Sequence, residues 1–304
     1  NLPNSTDGIV QFINDISNKG ITLSKGTLIN WENELKNNLS NDIKIIEEKL
    51  LCSYYINHDE SQIKINGNNY NVLCACNKEY VRLWGSKHKS MEAIDEIGFL
   101  PKFKGVIVKD GTELYNKYGL ILAQCISHIQ RYLKGIYDEI NHKSPRKLSI
   151  FFTKCNDKRN EYIENKIERF SEEELLNITN EYDNIINEWD KELRNDLNNH
   201  MFKEELNLFT RLKYDNKQMD PKIRGDRDEV LYFLKDFNVP STNNDAESSQ
   251  RGVKIKQKIG KFRGEEGANN YLIIKSCILT YKKKKLDILD SIKQAFEGQT
   301  ILGI

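Results

Sequence analysis

The stretch 51–85, LCSYYINHDESQIKINGNNYNVLCACNKEYVRLWG, decides the fold class of this chain. It contains four short apolar runs, LCSYYIN, QIKING, NYNVLCAC and YVRLWG, which are rich in Tyr, Val, Ile and Leu. Such residues favour strands, and Gly67 with Asn68 and Asn69 is typical of a hairpin turn. We therefore expect consecutive short antiparallel strands, with Asp59 at the end of the first.

The next segment adds a helix and one more strand. Residues 89–97 predict a helix, and GVIVKDG at 105–111 predicts a buried strand that ends at Asp110 and Gly111. Three antiparallel strands, a helix and a further strand indicate an α/β fold.

Two helices are predicted upstream of these strands. Residues 5–18 have apolar side chains at helical intervals, and Ser24 is a suitable N-cap for a second helix that contains Leu28, Trp31 and Leu35. Such a pair is either a helix-turn-helix, which would bind DNA, or an ordinary helical hairpin that packs on the main domain.

The segment from 122 to about 235 is predicted to be almost wholly helical and is highly charged. Leu175, Ile178, Tyr182, Ile185 and Trp189 form a helical stripe. We expect an inserted helical subdomain with a solvated charged face. The predicted domains are an N-terminal helical segment (1–48), a first core part (49–134), a helical insertion (135–235) and a second core part (236–304).

Composition limits the classes of function. The chain has 304 residues, with 46 Lys and Arg against 45 Asp and Glu, so nucleic-acid binding must come from local basic patches. None of the six cysteines forms a CxxC pair, which favours a reducing cytoplasm. No apolar run reaches the roughly 18 residues that span a bilayer, so no membrane association is expected.

Three acidic residues stand at positions that suit a metal site. Asp59 and Asp110 follow strands, and Glu247 lies near the start of a helix predicted after Pro240, with Asn243 as a capping residue. Carboxylates at strand ends can meet at one sheet edge, and a cluster of three needs cations to neutralise it. Oxygen ligands of this kind suit Mg²⁺. The alternative is two turn aspartates and a glutamate that stabilises the helix N-terminus.

Basic residues follow Glu247 at helical spacing. Arg251, Lys254 and Lys258 share a helix face with it, which fits either an ordinary Glu247–Arg251 ion pair or contacts to DNA phosphates.

Longer sequence patterns resemble the insertion sequence 66 family of bacterial transposases, in the DDE group with a ribonuclease-H-like core. The main match is DFNVPSTNNDAESSQRGVKIKQKIGKFRGEEGANNYLIIKSCILTYKKKK, which contains Glu247. HDES is similar to the family's first aspartate motif, with Asp59. VKDGTELYNKYG is similar to the second, with Asp110. QCISHIQRYLK is similar to the Cys-x-x-His motif that follows, with Cys125 and His128.

The resemblance implies a ribonuclease-H-like mixed sheet with flanking helices, interrupted by a large all-helical insertion. It implies Asp59, Asp110 and Glu247 as catalytic residues that bind two Mg²⁺ ions, which Mn²⁺ can replace. The expected reaction is DNA strand nicking followed by strand transfer. The implied partners are double-stranded transposon ends and target DNA, a second copy of the chain on paired ends, and accessory transposition proteins.

The resemblance also suggests roles for the remaining residues. Arg251, Lys254 and Lys258 would contact DNA. Cys125 and His128 would lie next to the carboxylates and help to position them. Departures from the family pattern are Thr112, where tryptophan is frequent, and Ser248 with Ser249, where a charged pair is usual. A non-catalytic DNA-binding remnant or a structure-specific nuclease on the same core are therefore the alternative functions.

Overall fold

The structure, a computed structural model, describes residues 5–18, 20–140, 142–195, 203–213 and 226–303. The strands in these ranges are β1 (Tyr55–Ile65), β2 (Asn68–Cys76), β3 (Val81–Ser86), β4 (Val106–Lys109) and β5 (Ile121–Gln124). The helices are α1 (Thr6–Ile16), α2 (Lys25–Asn38), α3 (Ser40–Leu51), α4 (Met91–Ile97), α5 (Ile126–Glu139), α6 (Ser144–Glu164), α7 (Glu172–Asn195), α8 (Lys203–Leu212), α9 (Asp226–Val230), α10 (Tyr232–Lys235), α11 (Asn244–Ile259), α12 (Glu265–Lys283) and α13 (Ile288–Phe296).

The chain divides into two compact units, each with its own hydrophobic core. The first unit consists of Asn1–Gly105 and Asn244–Ile304, and the second of Val106–Asn243. Both contain helices and strands, so the predicted α/β class is confirmed at this level. The ribonuclease-H-like arrangement, the helical insertion and the predicted domain bounds stay predictions.

The first unit contains an antiparallel sheet of β1, β2 and β3, as predicted. The two runs LCSYYIN and QIKING do not form separate strands, because β1 continues through the polar residues between them. Asp59 therefore lies inside β1, opposite Cys74 of β2, and its predicted position at a strand end is wrong. The reason is that β2 provides a continuous backbone ladder from Asn57 to Ile65, which keeps the polar residues extended.

The turn between β1 and β2 is a two-residue loop. Asn66 and Gly67 have φ of 49° and 85°, which is the left-handed conformation that such hairpin turns need. The turn at Gly67 is thus confirmed. Asn68, which we expected in the turn, is the first residue of β2.

One face of the antiparallel sheet is covered by α11 and α12. Ile63 of β1 and Cys74 of β2 share a core with Ala246 of α11 and Leu272 of α12. Side chains alternate between the two faces of a strand, so Asp59 lies on the same face as Ile63, the one that α11 covers.

The edge strand β3 is protected by hydroxyl groups of α12. The backbone N–H of Val81 donates to Thr280 Oγ1 at 3.0 Å, and that of Leu83 donates to Ser276 Oγ at 2.9 Å. These bonds satisfy groups that an open sheet edge would expose.

The hydroxyl oxygens of two serines cap the N-terminal helices. Ser24 caps α2, as predicted, and Ser5 caps α1, which we did not predict. Helix α2 is joined to α12 by a hydrogen bond of 2.7 Å from Asn270 Nδ2 to Asn33 Oδ1. This contact is of the type expected for a helical hairpin that packs on its own domain.

The second unit combines the parallel pair β4 and β5 with helices α5 to α10. The strand β5 lies in a segment that we predicted to be almost wholly helical, and this prediction is wrong there. A strand of four residues, three of them buried, has too few positions to reveal its period. The predicted stripe of α7 is confirmed, since Tyr182 and Trp189 lie in the core of this unit.

No helix among the described residues combines the length and apolar character that crossing a membrane requires.

Candidate functional site

Asp59 is half-buried on the face of β1 that α11 covers. Its neighbour across the strand pair is Cys74, which is fully buried. Burial raises the pKa of the Cys74 thiol well above its usual value, and the neighbouring Cys76 and the carboxylate of Asp59 raise it further. The negative charge of Asp59 therefore acts on the face of the sheet that α11 covers.

Glu247 lies in the first turn of α11 and is half-buried. The preceding Ala246 is fully buried, which anchors this turn on the sheet. Asp245 in the same turn forms an ion pair of 3.0 Å with Lys283. A helix N-terminus favours carboxylates through the partial positive charge of its free N–H groups, and both acidic residues benefit from it.

Asp110 follows directly after β4 and is half-buried. Its Oδ1 accepts a hydrogen bond of 3.0 Å from the backbone N–H of Thr112. This is the turn contact that the alternative interpretation of the Asp-Gly pair predicts. Such a bond uses one lone pair and leaves the carboxylate able to bind further ligands.

A buried lysine stands beside Asp110. Lys109 donates from Nζ to the backbone oxygen of Thr112 at 3.0 Å and to Asn116 Oδ1 at 2.9 Å. Its Nζ also lies 4.0 Å from a carboxylate oxygen of Glu229 in α9. The buried charge of Lys109 is therefore hydrogen-bonded and opposed by a carboxylate, as buried charges require.

An arginine from α8 reaches the same loop. The guanidinium of Arg211 lies directly against Gly111, where an added methyl group would overlap it. Arg211 Nη2 donates to Gln124 Oε1 at 3.2 Å, and Gln124 Nε2 donates to Glu229 Oε2 at 3.4 Å. Our sequence analysis missed Arg211 and Glu229. The absence of a side chain at Gly111 is the one local signal of this close approach.

Cys125 connects three parts of the second unit. Its backbone N–H donates to the oxygen of Lys109 at 2.8 Å, its thiol lies 3.0 Å from Ser127 Oγ, and its sulfur accepts from the backbone N–H of Asn243 at 3.1 Å. Burial raises the pKa of the Cys125 thiol, but hydrogen bonds from His128, Ser127 and Asn243 outweigh burial and lower it below its usual value. The predicted supporting pair, Cys125 and His128, is thus in contact.

The predicted metal ligands are divided between the two units. Asp59 and Glu247 belong to the first unit, and Asp110 belongs to the second, together with Cys125 and His128. In the ranges that the structure describes, no three His, Cys, Asp or Glu residues are grouped so that they could hold a metal ion. The assignment of these carboxylates as metal ligands stays a prediction.

The predicted DNA contacts are on the solvent side of α11. Arg251, Lys254 and Lys258 are exposed, and none of them takes part in an ion pair within the described part of the chain. The simple Glu247–Arg251 ion pair that the spacing permits is therefore not formed. These cations remain available to an external anion.

Comparison with protein families gives an independent result. The family model described as Transposase IS66 family matches residues 10–270, a range that contains all the predicted site residues. Comparison with curated proteins finds no match. Since the family match covers more than half of the 304 residues, the chain belongs to the IS66 family of transposases.

Proposed function

We propose that this chain is the catalytic region of a DNA transposase, which nicks DNA at the ends of an insertion sequence and joins the freed 3′ ends to target DNA. Asp59, Asp110 and Glu247 are the proposed catalytic carboxylates. The membership of the transposase family supports the reaction class, and the contacts of Cys125 support the choice of residues.

The observation that carries the proposal is the position of Cys125. Its backbone holds the end of β4, immediately before Asp110, and its sulfur holds Asn243, immediately before α11. Glu247 lies in the first turn of that helix. One buried residue thus contacts the residue before Asp110 and the residue before α11, and these two contacts support the choice of Asp110 and Glu247.

The donor set agrees in chemistry with Mg²⁺. Asp59, Asp110 and Glu247 offer only carboxylate oxygens, the ligands that Mg²⁺ and Mn²⁺ prefer. When bound by these residues, two such ions would supply Lewis-acid stabilisation of the attacking and leaving oxygens. The proposal requires Asp110 of the second unit to act together with Asp59 and Glu247 of the first.

The side chains around the carboxylates have separate tasks in this proposal. Arg251, Lys254 and Lys258 neutralise backbone phosphates of the transposon end and orient the duplex along α11. The guanidinium of Arg211 places positive charge beside Asp110, where it limits the repulsion between the carboxylates and the incoming phosphate. A second copy of the chain and target DNA complete the proposed assembly.

The proposal is tested by Asp110→Asn in a Mg²⁺-dependent nicking assay on plasmid DNA that carries the element ends. We expect nicking to fall to background while DNA affinity stays within about twofold, because the change removes one charge and no DNA contact. Asp138→Asn is the matched control, since Asp138 is exposed in the same unit and pairs with Lys134. Full nicking by Asp110→Asn would refute the assignment.

A second candidate function is a DNA-binding remnant without catalysis. The turn bond of Asp110 to Thr112 favours it, because a purely structural aspartate would make the same contact. Calorimetric titration with Mg²⁺ and Mn²⁺ separates the two candidates. If the chain is a transposase, we expect saturable binding of Mg²⁺ and Mn²⁺, and the changes Asp59→Asn and Glu247→Gln should weaken it. If the chain is a non-catalytic remnant, we expect no metal binding.

A further inference from the structure

A large groove in the first unit is not used by the proposed reaction. It has a volume of about 820 Å³ and lies between α1 and α2, the β1–β2 turn and the connection from α11 to α12. Five of its lining residues are cations, namely Lys25, Lys64, Lys256, Lys261 and Arg263, and two are acidic, Asp7 and Glu32. The local excess of positive charge contrasts with the whole chain, whose net charge is only +1.

The frame of this groove, hereafter the basic groove, is held by contacts between distant segments. Asn66 Nδ2 in the β1–β2 turn donates to the backbone oxygen of Arg263 at 2.7 Å, and Ile65 forms a β-bridge with Phe262. The ring of Phe262 packs on Tyr271, with centroids 5.5 Å apart. The backbone that carries Lys64, Lys261 and Arg263 is therefore fixed before any ligand arrives.

Three of the cations are available to an external anion. Lys64, Lys261 and Arg263 are exposed and form no ion pair with any described residue. Lys25 pairs with Asp7. Burial raises the pKa of Glu32, and the positive charge of Lys256 opposes that rise. The groove thus presents unpaired charges at the end of β1, next to the turn, and in the connection between α11 and α12.

The basic groove lies at the end of the helix that begins near Glu247. Twelve residues separate Glu247 from Ile259, the last residue of α11, which corresponds to about 18 Å along the helix. The exposed cations Arg251, Lys254 and Lys258 fall between these two points. At 3.4 Å per base pair, 18 Å corresponds to about five base pairs of a duplex.

We infer that the basic groove binds the sugar-phosphate backbone of the DNA that flanks the cleavage site, about five base pairs from the scissile phosphate. This inference rests on the proposed function, because it takes DNA as the ligand. The three exposed cations of the groove and the three of α11 offer six positive charges, which fits a long polyanion, whereas a small anion would need only one or two of them.

The test compares two variants of the full chain that each remove three positive charges. The groove variant is Lys64→Gln with Lys261→Gln and Arg263→Gln. The control variant is Lys44→Gln with Lys102→Gln and Lys293→Gln, which are exposed lysines of the same unit outside the groove. Affinity for a 30-base-pair duplex is measured by fluorescence anisotropy at several salt concentrations, without Mg²⁺, so that nicking plays no part.

For the groove variant we expect roughly tenfold or greater loss of affinity near 0.15 M salt, and a salt slope that is smaller by about 2.7, since each phosphate contact contributes about 0.9. The control variant should stay within about twofold of the wild type. If the groove variant and the control variant have the same salt slope of DNA affinity while the wild type binds DNA, the groove inference alone is overturned. Absence of DNA binding by the wild type overturns both the inference and the proposed function.

A second variant changes affinity in the opposite direction. Glu32→Gln removes a negative charge from the basic groove, so DNA should bind severalfold more tightly. A misfolded protein would not gain affinity for DNA, so tighter binding cannot be explained by a loss of structure. Unchanged or weaker binding by Glu32→Gln, in a protein with wild-type thermal unfolding, also overturns the inference.

Discussion

The charged helices α6 and α7 of the second unit and the charged helix α11 of the first unit use their cations differently. In the second unit, several basic side chains are paired between helices or within one, as in Lys147–Glu188 (2.5 Å), Lys158–Glu174 (2.7 Å) and Arg194–Asp190 (2.8 Å). In α11, by contrast, Arg251, Lys254 and Lys258 form no ion pair with described residues.

This difference separates charges that serve the fold from charges that are available to a ligand. A paired cation has already exchanged part of its hydration for a protein partner, so a phosphate must compete with that partner. An unpaired cation on a helix face loses only hydration and its counterion when a phosphate binds. If this distinction holds, ion pairing within the protein determines whether a cation contributes to stability or to DNA binding.

The largest effect is expected from a buried cation of α6 in the second unit. Arg159 of α6 is buried, and its guanidinium donates to the backbone oxygens of Phe233, Phe237 and Val239 at 2.8–2.9 Å. Burial lowers the pKa of Arg159, and the negative charge of Asp236 opposes that fall. Arg159→Met should lower the free energy of unfolding by about 3 kcal/mol, because it leaves three carbonyl groups unsatisfied.

Urea denaturation followed by circular dichroism measures this effect. Arg146→Met is the matched control, since Arg146 is exposed on the same helix and its replacement should change stability by no more than about 0.5 kcal/mol. A similar stability for the two variants would mean that the cations of α6 do not hold the fold.

The next prediction compares DNA affinity directly. Replacing Arg251, Lys254 and Lys258 with Gln should weaken DNA binding roughly tenfold near 0.15 M salt, with little change in thermal stability. Fluorescence anisotropy and thermal unfolding of the same samples provide both quantities. The physical reason is that these cations have no ion-pair partner to lose in the ranges that the structure describes.

The matched control replaces three paired cations, Lys147, Lys158 and Arg194, with Gln. We expect wild-type DNA affinity and a slightly lower thermal stability for this variant, since exposed ion pairs contribute little to stability. An equal loss of DNA affinity in both variants would show that total charge, and not pairing, determines DNA binding.

The sequence predicted local features of the fold better than contacts between segments. The hairpin at Gly67 and the cap Ser24 were predictable, because each depends on residues close to it in the chain. The strand β5 was not, since a run of four residues fits a strand and a helix equally well. The position of Asp59 inside β1 depends on pairing with β2, which local polarity does not reveal.

The same division applies to the candidate site. Family motifs identified Asp110, Cys125 and Glu247, and the structure shows Cys125 in contact with the segments next to the other two. Arg211 and Glu229 belong to α8 and α9 and lie outside these motifs. Their position near Asp110 results from tertiary packing of charged helices, in which dozens of similar residues give no distinguishing signal.

The smallest predicted effect concerns an exposed pair and depends on pH. Hydrogen bonds from Lys158, Tyr162 and the backbone of Ser171 lower the pKa of Glu174 from 4.5 to about 2. A carboxylate whose pKa is lower in the folded state stabilises the fold above its unfolded pKa, and this contribution disappears as pH falls from about 4.5 to about 2. Glu174→Gln should therefore cost less than about 1 kcal/mol at pH 7, after allowance for solvent screening, and nothing near pH 2.

Urea denaturation at pH 7, 4 and 2.5 follows this loss, with Glu173→Gln as the control from the adjacent exposed position. The control should show no such pH dependence, because the structure gives Glu173 no ion pair. A cost of Glu174→Gln that persists unchanged at pH 2.5 would mean that the side chain stabilises α7 by packing rather than by charge. The paired cations of this unit would then serve the fold through their aliphatic stems, and pairing alone would not distinguish them from the cations of α11.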